Sequence, residues 1–175
     1  MQGAENLNII LELAAIGVAV IGGIGDWKRR KIPNRLTFPV MLAGLAGNLV
    51  LRGGAGLLDS AAGIGTGFLV FLLFAIGALK AGDVKLYMAV GAVAGWHFCG
   101  DTIIWSILLG GAAALLLMAS RRTGRRALKN LWLYFVNLLY TRKFRMYQPE
   151  SELSYFSFGC CIAAGAAAAF FCPVL

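Results

Sequence analysis

Residues 57–88 read LLDSAAGIGTGFLVFLLFAIGALKAGDVKLYM, and the fold turns on how this stretch is divided. From Leu57 to Leu79 there are 23 residues with a single charged side chain, Asp59, near the start. That is enough helix to cross a hydrocarbon core of about 30 Å. Immediately after it, three charges fall within six residues, Lys80, Asp83 and Lys85, before apolar sequence resumes. The stretch is therefore a membrane span followed by a short charged joint, and the question is whether the rest of the chain repeats that pattern.

It does. Of 175 residues, 59% are hydrophobic and 14% charged, where a soluble domain carries roughly one-quarter charged residues. Mean hydropathy is +0.77. Besides 57–79, apolar runs cover about 7–25, 36–51, 84–98, 102–119 and 153–172. The reading is all-α: one polytopic membrane helix bundle of about six transmembrane helices, forming a single integral-membrane domain over 1–175. The second and fourth runs are short and rely on tilt or local thinning of the bilayer. The first lacks the basic start and small-residue cleavage site of a secretory signal and is read as retained.

Lysine and arginine stay on the cytoplasmic side of a membrane protein. With the N-terminus outside, six crossings place 15 of the 16 basic residues inside and only Arg52 outside. Both termini are then external. The formal charge of +8 thus reads as topology and attraction to anionic lipid, not as nucleic-acid binding. The long interruption at 121–152 is cytoplasmic. Within it ALKNLWLYFVNLLY, Ala127 to Tyr140, is too short for a span and suits an amphipathic helix lying in the interface.

Depth sorts the acids. Glu5, Asp59, Asp101, Glu150 and Glu152 fall outside the spans or at their outer ends, with Asp101 in an external turn, and are expected to be solvated. Glu12 lies within the first span near its outer end and is read as structural. Asp26 and Asp83 both fall at cytoplasmic helix ends, so packing can bring them to one depth. Boundary carboxylates are costly and usually face a protein cavity or water. A pair of them binds a cation, offsets nearby lysines, or shares a proton and activates water, because two close acids cannot both ionise easily.

GDWKRRKIPNRLT, Gly25 to Thr37, follows the first acid with Ile32-Pro33-Asn34, and KAGDVKLYMAVGA carries Gly82-Asp83-Val84-Lys85-Leu86. Together, in this order and spacing, they resemble the type IV prepilin peptidases, the leader-peptidase branch of the GxGD membrane aspartyl proteases. The resemblance covers most of residues 7–119. It implies an aspartic-type endopeptidase of the bacterial cytoplasmic membrane, with Asp26 and Asp83 as catalytic dyad and Gly82, Lys85, Pro33 and Asn34 as supporting or substrate-binding positions. The implied substrate is a prepilin, a short basic leader followed by a hydrophobic helix. Gly82 would let a substrate backbone approach closely, Pro33 ends regular structure after the first span, and Asn34 can cap the next helix. One departure stands out: Lys80 occupies the first glycine of GxGD. Its charge either acts on the dyad or simply reaches lipid headgroups.

No cofactor or metal is implied. His97 is the only histidine, and Cys99, Cys160, Cys161 and Cys172 show no CxxC spacing. The chain has no room between its first two spans for the cysteine-rich insertion of long prepilin peptidases, and it resembles the short, peptidase-only form of tight-adherence pilus systems. Gly63-Ile64-Gly65-Thr66-Gly67 lies inside a span, and Gly63 with Gly67, like Gly91 with Gly95, makes a small-xxx-small face for helix packing. Two other functions use the same residues: an ion-coupled transporter with the two aspartates as cation ligands, or a non-catalytic pilus assembly protein.

Overall fold

The computed structural model describes the backbone of residues 2–75, 79–120 and 157–175, and the side chains of 5–75, 79–116 and 157–175. The expected interfacial helix at 127–140 lies outside the described residues. Among them the chain is all-helical: α1 Gln2–Arg29, α2 Asn34–Leu69, α3 Phe71–Ala75, α4 Ala81–Ser120 and α5 Phe158–Phe171. Three segments are long and apolar enough to cross a membrane, Glu5–Arg29, Asn34–Ala75 and Ala81–Leu116, and α5 is a shorter apolar helix.

Neither α2 nor α4 is straight. At Gly53 (φ 64°, ψ −150°) and Gly95 (φ 85°, ψ −178°) the backbone leaves the helical region, in conformations that side chains resist. Across Gly95, Cys99 Sγ donates to the carbonyl of Tyr87 at 3.5 Å, although twelve residues of straight helix would separate them by about 18 Å. Tyr87 and Ser106 touch through their hydroxyls, nineteen residues apart. The chain therefore turns back on itself at one glycine. Across Gly53 likewise, a Cβ on Gly56 would lie 3.1 Å from the carbonyl carbon of Asn48. These turns replace the polar joints expected near 52–56 and 99–101, which moves the start of the expected fifth run from Thr102 back to Trp96.

The first half of α4 is the centre of the bundle. Val84, Leu86, Tyr87, Ala89, Val90 and Ala92 are buried there, packed by α1, α2 and α5. Lipid offers no hydrophobic drive for helices to associate, so close backbone approach at small residues has to supply it. Gly63 and Gly91 meet that need: a Cβ on Gly63 would lie 2.6 Å from the carbonyl carbon of Gly91, and one on Gly67 2.6 Å from Met88 N. Asn48 reinforces the contact by donating from Nδ2 to the carbonyls of Ala92 and Val93, both at 3.1 Å, which the turn at Gly95 leaves without helical partners. The outward faces carry Ile10, Leu13, Val50, Leu58, Leu72 and Leu116, all exposed, as lipid-facing surfaces require.

Polar side chains collect at the two ends. At one end Arg52 pairs with Asp59 at 3.3 Å and donates to Asn8, and the Asp59 carboxylate also accepts from Trp96 N. Asp101 lies at this end as well, but not in a solvated turn. It is 4% exposed, within α4, and its Oδ1 accepts the backbone N–H groups of Val174 and Leu175 at 3.2 and 2.9 Å. The chain after α5 folds over this carboxylate and shields it, which its position in the sequence did not suggest. Glu12, His97, Asp101 and Leu175 line a cavity of about 210 Å³ beside it.

Candidate active site

The opposite end is built by the finish of α1, the starts of α2 and α4, and the first turn of α5. Asp26 sits in the last turn of α1. That helix stops because Arg30 adopts a left-handed conformation (φ 52°), with its N–H returning to the Asp26 carbonyl at 2.8 Å. Pro33, extended at φ −72° and ψ 135°, then opens α2. The N-cap position is Pro33 itself and carries no side-chain cap, so Asn34 does not cap as expected. Being already the first helical residue, its side chain is free of that task, and its Oδ1 accepts from Lys85 Nζ at 2.9 Å. Lys85 also lies over the ring of Phe38, 5.6 Å from its centroid. Thus Lys85 ties the GDVK turn to the IPN turn.

Asp83 occupies the first turn of α4. Its Oδ2 accepts the backbone N–H of Lys80 at 3.0 Å, while its own N–H donates to the Lys80 carbonyl at 3.0 Å. This is the acidic half of a capping box: a side chain three positions into the helix satisfies the N–H of the capping residue. Gly82 makes the turn fit against the IPN segment, since a Cβ there would lie 3.3 Å from the Cβ of Ile32. The missing side chain is filled by Ile32, a buried residue of this chain.

Asp26 and Asp83 are each 1% exposed. Lys80 joins them: its backbone N–H holds Asp83, and its Nζ stands 3.5 Å from Asp26 Oδ1. The Lys80 side chain is 37% exposed and lies against Asp26.

The two carboxyls are furnished differently. Asp26 Oδ2 accepts from Ser157 Oγ at 2.8 Å and from Gly159 N at 3.2 Å, both at the start of α5. Asp83 Oδ1 is buried and has no hydrogen-bond partner among the described residues. Close approach of α5 to α1 depends on two glycines. A Cβ on Gly159 would lie 2.8 Å from Asp26 Cβ, and one on Gly23 would lie 2.9 Å from the Gly159 carbonyl oxygen. Sequence reading did not identify Ser157, Gly159 or Gly23; a serine opening an apolar run and a glycine pair three residues before an acid are the signals that carry them. Among the described residues, no group of three or more His, Cys, Asp or Glu side chains is arranged to hold a metal ion.

A carboxyl pair of unequal surroundings, buried at one end of an apolar bundle beside a lysine, can divide the work of an acid and a base. No curated protein and no solved structure matches the chain. The sequence profile of the type IV leader peptidase family matches residues 13–115, more than half the chain and a stretch that includes both aspartates. The chain accordingly belongs to the type IV leader peptidase family, a family of aspartic-type proteases.

Proposed function

We propose that the protein is a membrane aspartyl endopeptidase that removes the short basic leader from type IV prepilins or prepilin-like proteins at the cytoplasmic membrane boundary, with Asp26 and Asp83 as its dyad. One observation carries the reading: two carboxyls from separate helices are buried at the basic end of the bundle and linked through Lys80. Counting α1, the two halves of α2 about Gly53, the two halves of α4 about Gly95, and α5, the chain crosses a bacterial cytoplasmic membrane six times, with α3 prolonging the third crossing. Both termini are then outside and the dyad is inside. A prepilin meets that geometry, because its leader lies in the cytoplasm and its apolar helix in the bilayer.

Hydrolysis proceeds without a covalent intermediate. An ionised aspartate takes a proton from water as the water oxygen bonds to the scissile carbonyl carbon, while the protonated aspartate gives its proton to the carbonyl oxygen. In the resulting gem-diol, the first aspartate passes its proton to the leaving nitrogen as the C–N bond breaks. A diol proton returns to the second aspartate, giving a carboxylic acid and an amine and restoring the dyad. Supporting roles fall to Lys85 and Asn34, which clamp the two motif turns, and to Pro33 and Gly82, which shape them.

The purified protein incubated with a prepilin should lower the substrate's mass by that of the leader. An unchanged substrate mass, with ion flux in vesicles or with neither activity, would favour a transporter or a non-catalytic assembly protein instead.

A further inference from the structure

Within that peptidase reading, we propose that Ser157 and the first turn of α5, acting with Lys80, fix the division of labour in the dyad. Asp26 is held as the carboxylate that takes the proton of water, and Asp83 is left as the carboxylic acid that protonates the scissile carbonyl. Ser157 is a positioning residue, and it lies outside the stretch matched by the family profile.

The donors make the case. Asp26 receives a hydroxyl and a backbone N–H on Oδ2 and faces an ammonium group at Oδ1. Donors aimed at a carboxylate favour its ionised form. Asp83 receives one backbone N–H on Oδ2, and its Oδ1 is buried without a partner among the described residues. An ionised carboxylate left so poorly solvated is costly, whereas a protonated one can present its O–H to a substrate carbonyl. With one proton shared by the pair, the better-solvated member keeps the charge.

Among the described contacts, the groups facing Asp26 come from α4 and α5. Lys80 and Asp83 approach from the α4 side. Ser157 comes from α5, with Cys160 Sγ a further 3.8 Å beyond the Ser157 hydroxyl. Tyr87, one turn along α4 from Asp83, is bound to Ser106 and adds no donor to Asp26 among the described contacts.

Two measurements test the assignment. Infrared difference spectra of the substrate-free protein should show a protonated carboxyl band that persists in Asp26→Asn and disappears in Asp83→Asn; the reverse pattern overturns the assignment. Cleavage of a prepilin peptide across pH should show, for Ser157→Ala, an acidic limb displaced upward by about one pH unit, the scale of one hydrogen bond to a charged group. Ser157→Thr, which keeps the hydroxyl, should restore the original limb. Lys80→Gly should displace the limb in the same direction, and Lys80→Arg should not. Profiles of Ser157→Ala and Lys80→Gly that superimpose on the parent overturn the inference, as does a Thr variant that behaves like Ala. If both Asp26→Asn and Asp83→Asn still cleave, the aspartate dyad on which the assignment rests has failed, whereas a parent protein that leaves the peptide intact means that the peptidase reading itself has failed.

Discussion

Each end of the bundle buries carboxyls, and the two ends use them in opposite ways. Asp101 at one end is 4% exposed, nearly as buried as Asp26 and Asp83 at the other. Burial alone therefore does not single out the two acids proposed as catalytic. Asp101 closes over two backbone N–H groups of its own chain, and Asp59 is shared between Arg52 and Trp96 N. Asp83 is only half satisfied, and its neighbour is a second acid. At one end the carboxyls complete the fold, and at the other Asp83 keeps a buried oxygen without a partner among the described residues, which costs stability and suits the proposed chemistry.

The contrast breaks most sharply under isosteric neutralisation. Asp26→Asn and Asp83→Asn should each lower prepilin cleavage by at least about 100-fold, the scale of general acid–base catalysis, with the protein still in the membrane. Asp101→Asn, equally buried, should cleave normally because its amide oxygen still accepts both N–H groups. Loss of cleavage in Asp101→Asn alone would reverse the roles of the two ends.

A second break concerns sidedness. Cys172 is exposed at the Asp101 end, and Cys99 is buried. In intact cells a membrane-impermeant maleimide should label Cys172 from outside and leave Cys99 unlabelled. Labelling of Cys172 only after the membrane is opened would place the Asp101 end in the cytoplasm and overturn the proposed orientation.

Smaller effects sharpen the comparison. Asp101→Ala removes the acceptor of two backbone groups and should cost about 1–3 kcal/mol in a detergent unfolding assay, with unchanged cleavage per folded molecule. Arg52→Ala breaks a partly exposed ion pair and should cost only about 0–1 kcal/mol by the same assay, again without change in cleavage. A large loss of cleavage in either variant would mean that the two ends are coupled.

How much of this was legible in the sequence depends on how far each partner lies along the chain. Asp26 and Asp83 stood out because acids at the ends of apolar runs are rare and expensive, and Gly63 and Gly91 because small residues at helical spacing have a physical use in lipid. Lys80 was visible as a misplaced charge. Ser157 was not, since it meets Asp26 across 131 positions and by itself reads as the start of one more apolar helix. Asp101 was misjudged for the same reason: its partners are backbone groups 73 and 74 residues later, and backbone donors leave no trace in side-chain identity. The boundaries near Gly53 and Gly95 were displaced because a turn made by one glycine needs no polar loop to announce it.

Those one-residue turns carry a practical consequence for anyone handling the protein. At Gly95 a Cβ would lie 2.5 Å from the Asp59 carboxylate, and the backbone there is left-handed. Neither the residue nor the connection has slack for a grafted epitope, a fluorescent insert or a fiducial domain. A label for imaging or capture placed at Gly95 would pull apart the helix pair it joins, and the handle has to go elsewhere on the chain.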